Sequence, residues 1–78
     1  HSNPDYHMYL ARSYEAMGKK SLAYAATGDM YALLNNPQAA VYQFELAQKA
    51  DDADFYVMSE IDAKLREMRL KVLEQKKD

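Results

Sequence analysis

The chain has 78 residues and a mass of 9.0 kDa, room for one small domain or a few repeat units and too little for a deep, closed active site. Ten Lys and Arg against twelve Asp and Glu leave a net charge of −2, which excludes the footprint of a general nucleic-acid binder and a polybasic membrane anchor. With no cysteine there is no disulfide staple, no thiolate zinc site and no cysteine nucleophile.

Ala, Leu and Met supply a third of the residues, whereas Val, Ile and Thr together supply five, so the composition predicts an all-α chain. Asn3-Pro4 opens a first helix over about 4–17, with Asn as N-cap and Pro at the first helical position, and Gly18 suits the left-handed residue just past its end. A second helix covers about 20–34. Asn35-Asn36-Pro37 repeats the signature, one Asn closing that helix and Asn36 capping a third over about 37–50. Asp51-Asp52 is expected to cap a fourth helix over about 53–75, with Asp54 in its acidic first turn and a fraying end at Lys76-Lys77-Asp78. Connections this short make neighbouring helices antiparallel. The longest uninterrupted apolar stretches, Leu22–Ala26 and Met30–Leu34, are five residues each, far short of a bilayer span. No signal peptide is visible, and the opening His1-Ser2-Asn3 without an initiator Met is expected of a piece of a longer protein.

The most informative feature is an internal period. A shift of 17 residues aligns Ala11 with Gly28, Tyr14 with Tyr31, Gly18 with Asn35, Ala23 with Ala40 and Met30 with Ala47. Twice that is 34, the length of a helix–turn–helix tetratricopeptide repeat. Counted from Ser21, Tyr24, Gly28, Tyr31, Ala40, Phe44 and Ala47 fall where that repeat places its aromatic and small packing residues, and the pattern resembles it closely. It departs at Thr27, Asn35 and Asp52, where Leu, Gly and Pro are usual. A glycine inside a strong helix costs about 1 kcal/mol against alanine, which a close helix–helix crossing at Gly28 accounts for. Leu10, Ala11, Tyr14 and Gly18 form a further half-match, so the chain is expected to be a tetratricopeptide-like solenoid fragment of four helices. In the fourth helix, Met58, Ile61, Leu65, Met68 and Val72 make one apolar stripe that caps the last repeat; a dimeric coiled coil is the alternative. Glu60 with Lys64, Asp62 with Arg66 and Glu67 with Lys71 are spaced to pair on its outer surface.

Catalytic constellations are absent from the sequence. His1 and His7 form no His-Glu-x-x-His motif and no i,i+4 pair, and Ser13, Ser21 and Ser59 have no base partner. Asp51, Asp52 and Asp54 lack the glycine and terminal Glu of a calcium loop and read as helix caps. The fragment is therefore expected to be no enzyme and to carry no cofactor. Tyrosine is a strong interface anchor, and of the seven, Tyr14, Tyr24 and Tyr31 belong to the repeat core while Tyr6, Tyr9, Tyr42 and Tyr56 are freer. The register beginning at Ser21 directs Asp29 and Leu33 into a concave groove. The alternative register directs Met8, Arg12 and Glu15 there, with Tyr42 and Lys49. Arg12, Asp29, Leu33 and Tyr42 are the candidate protein-binding residues. Lys64, Arg66, Arg69 and Lys71 could meet phosphates, but acids interleave them, so no nucleic-acid partner is expected.

Three strings in order carry a closer resemblance. Residues 9–20 are similar to the "LARAYEALG" region of BepA-like zinc metallopeptidases, residues 39–47 to their "AAIEQLELA" helix, and Asp52-Ala53-Asp54-Phe55-Tyr56 with residues 61–69 to their terminal "DADFY…IDARLRELR". The resemblance implies a C-terminal tetratricopeptide portion of an exported protease with a His-Glu-x-x-His domain upstream. It implies a zinc ion in that domain, a periplasmic location in a Gram-negative bacterium, and a role in outer-membrane protein assembly and quality control. The partners it implies are proteins, namely assembly machinery, clients or the parent's own catalytic domain. None of the zinc ligands falls in this chain, and the run Thr27-Gly28-Asp29-Met30 departs from the family's Ala-Glu-Tyr-Tyr type. An unrelated adaptor or secretion chaperone is the second reading.

Overall fold

The structure, a computed structural model, describes residues 2–77; His1 and Asp78, and with them the last residue of the fraying end, lie outside the described residues. The chain is all-α, with α1 over Pro4–Ala16, α2 over Lys20–Leu33, α3 over Pro37–Lys49 and α4 over Phe55–Gln75.

The 17-residue period is a repeated helix ending. Gly18 has φ +74°, the Lys19 amide donates to the Tyr14 carbonyl (2.9 Å) and the Gly18 amide to Glu15 (3.0 Å). Seventeen residues on, Asn35 has φ +58°, the Asn36 amide donates to Tyr31 (2.9 Å) and the Asn35 amide to Ala32 (3.1 Å). Both are left-handed caps that satisfy the last carbonyls of a helix, and Asn is the residue besides Gly that tolerates the position. The next helix then starts at once, because the Asn36 side chain accepts from the Ala39 amide (3.2 Å) and Pro37 has no amide to satisfy. Asn3 does the same for α1, accepting from Asp5 (2.9 Å).

The α3–α4 connection departs from the expected capping. Asp51 takes the left-handed position after α3 (φ +63°), and the cap of α4 is Asp54, in extended backbone, accepting from the Val57 amide (2.8 Å). Helix α4 therefore starts at Phe55 rather than at residue 53. Asp52 caps a different helix: its carboxylate accepts from the Lys20 and Ser21 amides (2.7 and 2.8 Å) at the start of α2, where Lys19 supplies no side-chain cap. Beside it the buried Ser21 Oγ lies 3.0 Å from the Ala47 carbonyl, so the start of α2, the end of α3 and the following loop are tied at one point. The Ser21 hydroxyl first, then the Ser21 and Lys20 amides, hold the Asp52 carboxyl below its ordinary value of 3.8. One hydroxyl proton serves either Asp52 or the Ala47 carbonyl at a time, whereas the two amides serve Asp52 throughout. Because the folded group binds its proton less tightly than the unfolded chain does, this contribution is complete above pH 3.8 and is lost as pH falls through the lowered value. Asp52→Asn is expected to lower the denaturation midpoint at neutral pH and to flatten its fall below pH 3.8, both read by urea titrations over a pH series.

Side-chain pairs fix the directions of packing. Near the start of α1, His7 Nδ1 lies 4.0 Å from Asp29 Oδ2 in the second half of α2, so these helices are antiparallel. Ser21 with Ala47 sets α3 antiparallel to α2, and Gln48 with Asp62 (2.7 Å) and Glu45 with Arg69 (3.0 Å) set α4 antiparallel to α3. Helices α2 and α4 are then parallel and touch, while α1 meets α2 alone and has no contact with α3 or α4. This is a helix–turn–helix stack of tetratricopeptide-like form, with α2 and α4 in equivalent places on either side of α3.

The core lies between α2, α3 and α4. Gly28 faces Phe44 so closely that a Cβ there would sit 2.5 Å from the ring, and Ala40 and Ala47, fully buried, let α3 approach on either side of Phe44. Tyr24 and Tyr31 pack partly buried against this cluster, and Ile61, Leu65 and Met68 close it from α4, with Met58 and Val72 half-buried at the ends of their stripe. Ala11 is the sole buried residue of α1. The outer-surface pairs read from spacing within α4 do not form: Lys64 turns to Asp29, Asp62 to Gln48, and the basic residue that finds a carboxylate on α3 is Arg69. Lys64 and Asp62 find partners on neighbouring helices instead of their own i,i+4 residues.

Candidate protein-binding groove

Helix α2 forms the floor of a groove walled by α1 and α4, which do not meet across it. Small residues at Ala25 and Ala26 lower the floor, Leu10 and Tyr14 stand on the α1 side, and Val57 and Ile61 on the α4 side, around a cavity of about 250 Å³. One end is polar. Lys64 Nζ lies 3.0 Å from Asp29 Oδ1 and 3.1 Å from Oδ2, and Glu60 lines the same rim. The cavity continues past Leu22 and Val57 to a second hollow of about 220 Å³ beside Lys19, Asp52 and Asp54.

The Asp29–Lys64 pair is part-exposed on both sides, so its main service is to fix the lysine and to hold α4 beside α2. A double-mutant cycle on Asp29→Ala and Lys64→Ala is expected to return a coupling below about 1 kcal/mol that shrinks with added salt, measured by denaturant unfolding.

Of the candidate binding residues, Asp29 lies in this groove. Leu33 is exposed near the end of α2, and Arg12 and Tyr42 are exposed on α1 and α3, two helices that do not touch. Of the packing residues, Gly28, Ala40, Phe44 and Ala47 are buried together, Ala11 is buried under α1, and Tyr24 and Tyr31 are half-buried. Tyr14, assigned to the core, also forms part of the groove wall. Sequence reasoning missed Leu10, Leu22, Val57, Glu60 and Lys64 as groove residues. The repeat period offered no signal for the α4 members: 34 residues on from Asp29 stands Ala63, which does not line the groove, and α4 lacks the repeat's aromatic and glycine marks.

On the opposite side of α2, a larger hollow of about 330 Å³ opens between α1 and α3 over Ala23 and Thr27, whose hydroxyl is spent on the Ala23 carbonyl (3.0 Å). Among the described residues no group of three or more His, Cys, Asp or Glu side chains is placed to hold a metal ion, and no helix is long and apolar enough to cross a membrane. No protein family, no curated protein and no solved structure matches this chain.

Proposed function

We propose that this chain is a protein–protein interaction module, the C-terminal tetratricopeptide portion of a BepA-like exported zinc metallopeptidase, which holds partners or clients in position for a catalytic domain supplied by the parent protein. The observation that carries the reading is the groove over Ala25 and Ala26: a concave apolar surface with a few polar groups fixed on its rim. Its mechanism is binding alone. Zinc and the peptidase step belong to the parent's catalytic domain, and the periplasm is the location this reading implies.

The test is titration of isotopically labelled chain with the catalytic domain of a BepA-like metallopeptidase, followed by backbone amide shifts. Shifts clustered at Leu10, Leu22, Asp29 and Val57 are the expected result. Saturating catalytic domain with no shift anywhere would overturn the metallopeptidase assignment and leave an adaptor or secretion-chaperone repeat, the reading that the absence of a His-Glu-x-x-His motif in this chain leaves standing.

A further inference from the structure

The outer face of α4 has a feature that capping the stack does not require. Beyond the reach of α3, Leu70 and Leu73 are 57% and 58% exposed, on the side opposite the buried Met68. Arg66 precedes Leu70 by one turn on the same face, and Lys76 and Lys77 follow in the turn past the helix end at Gln75, so basic residues flank the two leucines. These leucines are the exposed large apolar residues of the C-terminal half of α4.

The groove has the complementary character. It is apolar at Leu22, Ala25 and Val57, and its charged lining is Asp29 and Glu60 against Lys64. Lys64 is drawn onto Asp29. Glu60 stands on the rim, and among the described residues no cation lies within ion-pair distance of it.

We infer that the groove takes the C-terminal end of α4 from a second copy of this chain, Leu70 and Leu73 seated over Ala25 beside Leu22 and Val57, with a flanking basic residue against Glu60. The inference rests on the reading of the groove as a binding surface and adds an occupant, a second copy of this chain, that a catalytic domain or client would displace. Two apolar surfaces are covered by one contact. Reciprocal exchange of the two tails closes the contact into a two-fold pair, the arrangement that stops growth at a dimer.

Sedimentation equilibrium of the chain between about 10 µM and 1 mM tests this, a range that spans micromolar to millimolar dissociation constants. The expected mass rises from 9.0 kDa toward twice that value. Leu70→Glu with Leu73→Glu, at exposed positions that leave the helical circular dichroism unchanged, is expected to raise the dissociation constant more than tenfold. Glu60→Lys weakens association, and adding Arg66→Glu and Lys77→Glu restores it. A mass of 9.0 kDa at the highest concentration overturns the inference and leaves the groove open to a foreign partner, so the module reading stands or falls separately by its own titration. Self-association that survives the leucine replacements, or that ignores the charge at residue 60, overturns it as well.

Discussion

Gly28→Leu is expected to destabilise the chain by about 3 kcal/mol, the upper end of the cost of overpacking a core. Three atoms of the Phe44 ring lie 2.5–2.8 Å from the place of a Cβ at residue 28, and the ring is 1% exposed in the core with Ala40 and Ala47. Gly28→Ala separates two opposing effects. Alanine gains about 1 kcal/mol of helix preference over glycine, yet the methyl group drives into the ring, and a net loss of about 1 kcal/mol is expected. Chains of this length have about 4–12 kcal/mol in all, so the leucine variant loses a large share. The check is denaturant unfolding with Gly28→Ala, Phe44→Leu and the pair. The two are expected to be non-additive, the double variant being more stable than the sum of the singles implies, because the smaller side chain yields the space the methyl needs. A Gly28→Ala protein more stable than the parent would mean that α2 and α3 cross elsewhere.

Leu65→Ala is expected to cost about 2–5 kcal/mol, as for other fully buried leucines. Leu65 is the middle member of the three buried residues by which α4 joins the core, and the ion pair of Lys64 beside it is too exposed to substitute for that packing. Because α4 is also one wall of the groove, the loss is expected to appear as weaker partner binding at temperatures where the rest of the chain remains folded. Leu73→Ala, eight residues on and exposed, is the control, with a stability change within about 0.5 kcal/mol. Equal losses for both leucines would place the α4 core on the wrong face.

The helices were legible because their ends are written in short-range chemistry. Asn-Pro openings, a glycine and an asparagine at left-handed positions, and an apolar stripe of steps three and four each act within one or two turns, and each is where the sequence placed it. Asp52 shows where such reasoning stops. Read locally, two aspartates before a helix cap that helix; in the folded chain one of them reaches the start of α2, across 31 and 32 residues, and only the third aspartate caps α4. The same limit applies to the groove. Asp29 could be assigned to it from the repeat pattern, whereas Lys64 and Glu60 depend on the rotation of α4 about its axis, which the spacing of charges within α4 did not reveal.

That α1 rests on α2 alone has a bearing on how the groove behaves. Local opening of a protein follows the least buried apolar area, and α1 has one buried side chain where α2, α3 and α4 have three or four each. The lowest-energy excursion from the native state is therefore the lifting of α1 away from α2, with α2–α4 still folded. In amide hydrogen exchange, α1 should report an opening free energy well below that of α2, and a ligand that touches Leu10 and Tyr14 should raise it. The groove is a jaw with one fixed side and one hinged side, and binding strength is set partly by how firmly the hinged side was already closed.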